Sequence, residues 1–498
     1  MAVVGTDEII IERGGKLYKA SVSEAVNATN VASAEAILEV VSSITSFGAV
    51  GDWNGTTGTD NTAALQSAIN AMAALGVNAR KALYVPHGRY MFSELFIPTE
   101  AAGLSFTGDG KLSSQLKSTK TTAGPSIDVD TTGLQFINVG LEGGGNDGAT
   151  QNIIVRVKRQ IGKVADLDVY FEDCILTNSY YLAQTWGRGA VFSGGYWSLA
   201  RYGWDIQWPA DGSYVEGPEW HQKKSTGFRR LVVENLEVHA LQVDAVRNEG
   251  ANAINAQITM RGVFSGIGDG LFVGKLGKGS RLDDNRSTGV TGPSMSITGG
   301  NDYVIDGVSL SGTLEAGQTG AATNLIRLTG DHTNPTIVNG SFGYCKEHAI
   351  DVRSGTVTGA IFSDLDFIQP CLDGGTFNPI IFVGPGHTAE ISDIRLRSTA
   401  NLDAIVRTTD AGAAVNVQRA YHLFGGTTPP IKGGGTTAAE YLTNNTGTKR
   451  IRVSGSGSPE GVVSAQVGSE YRDYFNGTTY VKKTGVGTNT GWLAVATV

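Results

Sequence analysis

The clearest periodic pattern in the chain is an amphipathic stretch near residue 65. Apolar residues recur there with helical spacing on one face, namely Ala64, Leu65, Ala68, Ile69 and Met72. Just before this stretch, Asp60, Asn61 and Thr62 offer oxygen acceptors to the unpaired N–H groups of a helix start. The pattern predicts a helix over residues 61–75, followed by an apolar strand that begins at residue 82.

From about residue 82 to about residue 425, the chain repeats a short strand, a turn and another short strand. Residues 238–246 overlay residues 263–271 at an offset of 25 positions, the length of one turn in a solenoid of stacked strands. Stacked turns lie about 4.8 Å apart, so residues at equivalent positions form columns. The pattern predicts an all-β solenoid, and the helix would cover the unpaired strand edges at its open end.

Three motifs at the start of the solenoid resemble a known family. They are FGAVGD at residues 47–52, TDNTAALQSAI at residues 59–69 and YVPHGRY at residues 84–90. Together they are similar to the opening of pectate-lyase-like β-helix proteins, above all bacteriophage tailspikes. The resemblance covers residues 46–90, and beyond them it rests on strand rhythm alone.

A second resemblance lies at the other end of the chain. Residues 456–498 look like a small β module found at the tips of phage tail fibres and tailspikes. The two resemblances imply a right-handed parallel β-helix (pectate-lyase-like) in a homotrimeric virion tail protein. Such a protein binds a bacterial surface polysaccharide, either capsule, O-antigen or exopolysaccharide, and often cleaves it.

The remaining segments complete the predicted organisation. Residues 1–43 combine a β-hairpin around residues 14–15 with a helix-compatible stretch, and the resemblance implies an adaptor that binds a phage tail or baseplate protein. Residues 44–425 are predicted to form the β-helix. Residues 426–455 have the Pro and Gly content of a linker. Residues 456–498 are predicted to form the small C-terminal β module.

Composition narrows the class of protein. With 68 Gly, 13 Pro and 17% charged residues among 498, the chain favours many short strands and turns. A net charge of −8 gives no reason to expect nucleic acid as a partner. Cys174, Cys345 and Cys371 are predicted to be reduced and buried. No secretory signal and no run of about 20 apolar residues is visible, so we expect synthesis in the host cytoplasm, release by lysis and no membrane insertion.

Potential sugar-binding residues are densest between residues 196 and 270. Aromatic rings stack on the C–H faces of sugars, and charged or imidazole groups bond their hydroxyls. The predicted substrate-binding residues are Trp204, Trp208, Trp220, His221, Arg229, His239 and Arg247. Residues 207–222 form a polar, Pro-bearing loop of the kind that often carries functional residues. The alternative is that its tryptophans pack against the solenoid wall or form a subunit contact.

A glycosidase needs two carboxylates, about 5–5.5 Å apart for retention of configuration and about 6.5–9.5 Å apart for inversion. Asp244 and Asp269 occupy matching places in the overlay of residues 238–246 on residues 263–271. This match predicts that their Cβ atoms lie about 4.8 Å apart, the spacing of stacked strands. The alternative, which stays open, is that both carboxylates accept hydrogen bonds from backbone N–H groups at the turns. The competing candidates are Glu216, Glu219, Glu237 and Glu249.

Carboxylates outnumber the bases suited to a lyase in this region, so glycosidic hydrolysis by an endo-glycosidase is the preferred prediction. A lyase that acts by β-elimination on uronic acids is the second hypothesis, with His221, Lys223, Lys224, Arg229 and Tyr214 available for it. A receptor-binding spike without activity is the third. No metal-ligand spacing is evident, and no cofactor is predicted. A homotrimer is expected because the flat walls of a β-helix can be buried around a three-fold axis.

Overall fold

The structure is a computed structural model. It describes residues 2–3, 8–13, 16–21, 39–77, 79, 81–145, 150–157, 169–185, 189–206, 230–235, 237–249, 253, 257–265, 270–290, 292–312, 324–345, 347–352, 354–368, 372–373, 376–377, 381–384, 387–397, 406–408, 414–422, 431–433, 452–455, 457–461, 463, 465, 467–473, 476–485 and 489–495. The chain consists of two compact units, which are Met1–Gln242 and Val243–Val498.

Short strands make up most of the first unit. In chain order they are β1 (Ala2–Val3), β2 (Glu8–Arg13), β3 (Lys16–Ser21), β4 (Glu39–Ser43), β5 (Lys81–Val85), β6 (Gly88–Phe92), β7 (Leu95–Ile97), β8 (Leu104–Gly108), β9 (Ser114–Ser118), β10 (Gly124–Val129), β11 (Leu134–Ile137), β12 (Gly140–Glu142), β13 (Asn152–Val157), β14 (Val169–Glu172), β15 (Ile175–Thr185), β16 (Gly189–Ser193), β17 (Tyr196–Ile206), β18 (Arg230–Glu234) and β19 (Glu237–Asn248), and the boundary between the units falls within β19.

These strands stack in three parallel series, which form the faces of a right-handed parallel β-helix. One series runs β4, β5, β8, β11, β14, β16 and β18. The second runs β6, β9, β12, β15 and β17, and the third runs β7, β10, β13, β15 and β17. The predicted fold class is therefore confirmed. The long strands β15 and β17 contribute to two faces each.

Aromatic side chains fill the interior of the first unit in a column. Phe106, Phe136, Phe171 and Phe192 occupy matching positions on successive turns. Their ring centroids are 5.2, 5.1 and 5.3 Å apart, with the rings stacked. All four are buried, because every turn directs the same position towards the axis.

The predicted helix is present as α1 (Thr62–Ala73), slightly shorter than the predicted 61–75. Its buried side chains include Leu65, Ala68, Ile69 and Met72, the stripe that the periodicity indicated. Short 3₁₀ helices at Ile44–Phe47 and Thr99–Ala101 accompany it. In the described part of the chain it is the one α-helix.

The start of α1 is held by two different side chains. Asp60 Oδ1 accepts hydrogen bonds from the Thr62 backbone N–H at 2.9 Å and from its hydroxyl at 2.5 Å. These bonds favour the ionised carboxylate and lower the pKa of Asp60. Asn61 does not cap the helix; its side chain instead bonds the backbone N–H and C=O of Val50 at 2.6 and 3.0 Å. The FGAVGD motif is thereby tied to the helix.

The N-terminal strands join the first face. Strands β2 and β3 form the predicted antiparallel hairpin, with Arg13 opposite Lys16. Strand β3 pairs antiparallel with β4, and β4 pairs in parallel with β5. The backbone of the predicted adaptor thus continues the sheet of the β-helix. Residues 39–41 form part of β4 rather than the end of a helix-compatible stretch.

The second unit continues the numbering. Its strands are β20 (Gln257–Arg261), β21 (Phe264–Ser265), β22 (Phe272–Leu276), β23 (Arg281–Asp283), β24 (Arg286–Val290), β25 (Met295–Asn301), β26 (Val304–Asp306), β27 (Ser309–Gly312), β28 (Asn324–Leu328), β29 (His332–Thr333), β30 (Thr336–Val338), β31 (Ser341–Gly343), β32 (His348–Val352), β33 (Val357–Thr358), β34 (Ala360–Ile368), β35 (Leu372–Asp373), β36 (Thr376–Phe377), β37 (Ile381–Val383), β38 (Thr388–Arg397), β39 (Val406–Thr408), β40 (Ala414–His422), β41 (Ile431–Gly433), β42 (Arg452–Gly455), β43 (Glu470–Asp473), β44 (Thr478–Lys482) and β45 (Trp492–Val495).

This unit also has three parallel series. One runs β20, β23, β26, β30, β34, β38 and β40. The second runs β21, β24, β27, β31 and β34, and the third runs β22, β25, β28, β32, β37, β39 and β41. Val246 pairs with Phe272, whereas the sequence overlay placed it opposite Leu271. The predicted offset is therefore one position too short at this turn.

Parallel stacking extends beyond residue 425, the predicted end of the β-helix. Strand β41 lies within the segment 426–455 that was predicted as a linker, and it pairs in parallel with β39. Strand β42, at the end of that segment, pairs with β43 in a small separate sheet completed by β44 and β45. Both strands therefore belong to folded sheets. The other residues of the segment lie outside the described ranges.

The terminal sheet packs around one tryptophan. The Trp492 indole N–H donates to the Val463 carbonyl at 2.6 Å, and its ring meets that of Tyr471 edge-on. The Glu460 carboxylate accepts from the backbone N–H groups of Gly491 and Trp492 at 2.9 and 2.7 Å. These contacts give the module predicted over residues 456–498 a small core of its own.

Candidate functional site

Most of the predicted site residues lie outside the described part of the chain. This holds for Glu216, Glu219, Asp269, Trp208, Trp220, His221 and Arg229. For Asp244, Glu237 and His239, the structure describes the backbone within β19 but not the side chain. The predicted pairing of Asp244 with Asp269 therefore stays a prediction, as do the roles of the others.

The prediction for Trp204 is wrong. Its side chain is fully buried and lies edge-on against Phe171, with ring centroids 5.8 Å apart. In β17 it faces the interior, because the alternation of the strand places it beside the phenylalanine column. A ring in that position packs the core and cannot stack on a sugar.

Arg247 and Glu249, which were predicted for different roles, contact each other. The Arg247 guanidinium donates to Glu249 Oε2 at 2.8 Å from Nε, and Nη2 lies 2.7 Å from the same oxygen. Both side chains are partly exposed, and such surface pairs contribute only about 0.2–1 kcal/mol. Their participation in substrate binding or catalysis stays a prediction.

A pair of carboxylates one turn apart is present elsewhere in the second unit. Asp283 ends β23 and Asp306 ends β26, and the two residues are directly opposite in the parallel register. Neighbouring parallel strands lie about 4.8 Å apart. The structure thus contains the kind of column predicted from the sequence, although at a different turn of the β-helix.

Three side chains hold the two carboxylates in place. Arg281 contacts both, with Nε 2.9 Å from Asp283 Oδ2 and Nη2 3.5 Å from Asp306 Oδ2. Asn339 donates to Asp306 Oδ1 at 2.9 Å. Arg261, which precedes Asp283 in the same column, approaches Asp283 Oδ2 at 3.8 Å. The hydrogen bond to Asp283 raises the pKa of Arg281 above its usual value, so the bridging group stays cationic.

The two carboxylates have unlike surroundings. The Asp283 side chain is 10% exposed, whereas that of Asp306 is 34% exposed. Asp283 Oδ1 is buried and has no hydrogen-bond partner in the described part of the chain. Buried carboxylate oxygens are normally bonded, so this atom is an exception within the cluster. Asp306 is the member that a substrate reaches more easily.

The turns after these strands explain why the carboxylates line up. The residue that follows each strand has a left-handed backbone: Asp284 (φ 52°), Gly307 (φ 64°) and Asn339 (φ 54°). Asp, Asn and Gly tolerate this region best. At position 307 a Cβ atom would lie 2.5 Å from Asp284 Oδ1, so a larger residue there would displace the Asp284 side chain. Equal turns end the strands at equal heights and keep the preceding residues in one column.

Two carboxylates near 5 Å apart with a bridging guanidinium can serve either acid–base chemistry or a structural ion-pair ladder. The sequence contained a signal for the pair that our overlay missed. Residues 281–285 (RLDDN) and 304–308 (VIDGV) match with an apolar residue before each Asp. The separation along the chain between residues 281–285 and residues 304–308 is shorter than the offset of 25 positions between the overlaid segments 238–246 and 263–271. A search at that fixed offset therefore does not align Asp283 with Asp306.

Other classes of site have less support. In the described ranges, no group of three or more His, Cys, Asp or Glu side chains is arranged to hold a metal ion. Within the same ranges, no helix is both long and apolar enough to cross a membrane.

A family model described as rhamnogalacturonase A/epimerase, pectate lyase-like, matches residues 41–162. This stretch is similar to the proteins of that family. The match begins in β4 and includes the capping helix and the FGAVGD motif. It confirms the predicted resemblance to pectate-lyase-like proteins over about a quarter of the chain. No match was found among curated protein sequences.

Several solved structures are similar to the chain. One is the A-module of mannuronan C-5 epimerase AlgE6 from Azotobacter vinelandii, with 14% identity, a TM-score of 0.45 and coverage of 79% of this chain and 99% of that one. Another is tailspike protein 3 of bacteriophage CBA120, with 13% identity, a TM-score of 0.37 and coverage of 98% and 73%. A third is a GH87 α-1,3-glucanase from Streptomyces thermodiastaticus, with 16% identity, a TM-score of 0.35 and coverage of 79% and 68%. At these values, neither activity nor substrate carries over to this chain.

Proposed function

We propose that the protein is a phage tailspike that binds a bacterial surface polysaccharide and cleaves it by glycosidic hydrolysis. The observation that carries the hydrolytic part is the register-matched pair Asp283 and Asp306 with Arg281 bridging them. The tailspike part rests on the sequence resemblances at residues 46–90 and 456–498.

The geometry suits a pair of catalytic carboxylates. A strand spacing of about 4.8 Å is close to the separation of about 5–5.5 Å used by retaining glycosidases. In that mechanism one carboxyl group protonates the leaving oxygen and the other attacks the sugar carbon, which forms a glycosyl–enzyme intermediate that water hydrolyses. Asp306 suits the attacking role because it is more exposed than Asp283.

The assembly belongs to the same proposal. A homotrimer would bury β-helix walls around a three-fold axis, with the N-terminal residues bound to a phage tail or baseplate protein. Under this proposal, the protein is part of the virion tail. Light scattering after size exclusion tests the trimer, and a species near the chain mass of 52.2 kDa at micromolar concentration would contradict it.

Cleavage is tested with a panel of purified capsular, O-antigen and exopolysaccharides. New reducing ends without an unsaturated-uronate absorbance would support hydrolysis, whereas that absorbance would identify a lyase. Binding without any shortening of the polymer would identify a spike without activity. Each polymer is assayed with the parent chain before any variant is compared.

The residue assignment is tested with Asp283→Asn and Asp306→Asn. Each variant should bind the polymer and cleave it at least ~10²-fold more slowly, the contribution expected of positioned acid–base groups. Asp302→Asn is the matched control, because Asp302 is another partly exposed, ion-paired carboxylate of the second unit, 3.7 Å from Lys278. Cleavage at the parent rate by both test variants would show that Asp283 and Asp306 form only a structural ion-pair ladder. Asp244 and Asp269 would then be the next candidates for the catalytic pair.

A further inference from the structure

The first unit contains a cleft of about 380 Å³ beside the capping helix. Small-ligand sites range from about 300 to 1,000 Å³, so the cleft has the size of a binding site. Its lining residues come from α1 and from the turns that carry β7, β9, β10 and β13: Gln66, Glu94, Leu95, Phe96, Lys120, Pro125, Asp128 and Arg156.

A column of three residues crosses the floor of the cleft. Phe96 is opposite Asp128, and Asp128 is opposite Arg156, on three successive turns. Arg156 donates to the two oxygens of Asp128 from Nε at 3.0 Å and from Nη2 at 2.9 Å. This bidentate pair is partly buried, and it fixes both side chains at the surface of the sheet.

The edges of the cleft are also held in place. The side chain of Gln66 on α1 donates to the Phe96 carbonyl at 2.8 Å and accepts from the Phe96 N–H at 2.9 Å. It therefore pairs with the backbone of β7 as a neighbouring strand would. Lys120 forms an ion pair with Glu94 on the same side. The cleft is thus preformed, with few side chains left to order on binding.

The chemistry of the lining fits a sugar. The Phe96 side chain stays 42% exposed although it is large and apolar, and an exposed ring can stack on the C–H face of a pyranose. The two ion pairs present carboxylate acceptors and cationic donors side by side, as vicinal hydroxyl groups require. Two acids and two bases balance each other, so the cleft has no excess charge to attract a uronate.

We propose that this cleft is a glycan-holding site that binds an uncharged sugar unit of the polysaccharide. It acts through residues other than the carboxylate pair that is proposed for cleavage. The inference rests on the proposed function only in taking a polysaccharide as the ligand. The cleft would keep the polymer on the spike between cleavage events, so its loss weakens binding and leaves the chemical step unchanged.

The test uses the full-length protein and an array of purified bacterial surface glycans, some neutral and some uronate-containing. Phe96→Ala and Phe96→Leu should each bind neutral glycans about 10-fold more weakly, the equivalent of one lost stacking contact. Asp128→Asn, which breaks the bidentate pair, should act in the same direction. Phe264→Ala is the matched control, since Phe264 is a similarly exposed ring, at 36%, in the second unit.

Hydrogen exchange gives a second readout that is independent of cleavage. A glycan that binds on the array should slow the exchange of backbone amide hydrogens in peptides containing Leu95–Ile97 and Gly124–Val129. Binding by the Phe96 variants equal to that of the control, or unchanged exchange at these strands, would overturn the site. A requirement for uronate in every bound glycan would overturn the assignment of an uncharged sugar.

The two proposals fail in distinguishable ways. Loss of array binding in the Phe96 variants together with an absence of cleavage in the parent would support the cleft and overturn the hydrolase. Cleavage by a parent chain that binds no glycan on the array would overturn the cleft alone. Neither binding nor cleavage across the whole set would overturn both.

Discussion

The column of stacked phenylalanines should be the most sensitive part of the first unit to truncation. Phe136 is fully buried, and its ring is parallel to those of Phe106 and Phe171 within 12° and 11°. Replacement by alanine leaves a cavity that the regularly spaced turns cannot close, because the hydrogen-bonded strands fix the height of every turn. We expect Phe136→Ala to lower the free energy of unfolding by about 3–5 kcal/mol.

A second substitution separates ring stacking from loss of volume. Phe136→Leu retains most of the apolar volume but loses two aromatic pairs, each contributing about 0.5–1.5 kcal/mol. We therefore expect a loss of about 1–3 kcal/mol for this variant. Phe96→Ala is the control in the same unit, since its ring is already 42% exposed, and it should cost less than about 1 kcal/mol.

Guanidinium unfolding followed by tryptophan fluorescence measures these differences. Six of the seven tryptophans lie in the first unit, so the signal reports mainly on that unit. Trp204 is a direct reporter because it contacts Phe171 in the same column. If Phe136→Ala and Phe96→Ala shift the transition equally, the phenylalanine column does not form the core and the reasoning is refuted.

Two further predictions concern a turn and an ion-pair network. Gly195→Ala should destabilise the fold strongly, since the added Cβ would lie 2.0 Å from the Cys174 carbonyl oxygen. The control is Gly133→Ala, which should suffer only backbone strain because its Cβ would lie 3.5 Å from the nearest atom. Equal thermal unfolding midpoints for the two variants would contradict this. Burial opposes ionisation of Glu142, but the hydrogen bonds and charges of Lys117 and Arg89 together outweigh it and lower the pKa of Glu142 below 4.5. Its stabilisation is therefore present above pH 4.5 and lost as the pH falls through the lowered pKa. Glu142→Gln should destabilise at pH 7, with a difference from the parent that shrinks in acid; a constant difference from pH 7 to pH 3 would be inconsistent with this origin.

Local sequence was sufficient for the features that depend on neighbouring residues. The capping helix could be predicted because the stripe from Leu65 to Met72 follows the helical period within a few turns. The hairpin between β2 and β3 could be predicted for a similar reason, since a tight turn between two apolar runs sets the pairing of the strands beside it. The fold class followed from the rhythm of strands and turns together with the FGAVGD resemblance.

The local sequence pattern does not determine which residues of successive turns lie opposite each other. Val246 meets Phe272 and Asp283 meets Asp306, and the two pairs are separated by different lengths of chain because the loops between equivalent strands differ in length. An error of one position moves a strand side chain to the opposite face. A single fixed offset therefore could not locate the carboxylate pair.

Burial was the other property that only the tertiary structure decided. Trp204 and Phe96 are both aromatic residues in strands, yet the first is fully buried and the second is 42% exposed. Composition suggested a sugar-binding role for the tryptophan, whereas the exposed ring is that of the phenylalanine. The sequence by itself determined that the chain forms stacked strands closed by a helix. The length of each turn decided which side chains meet, because it sets the separation along the chain between the strands that it joins.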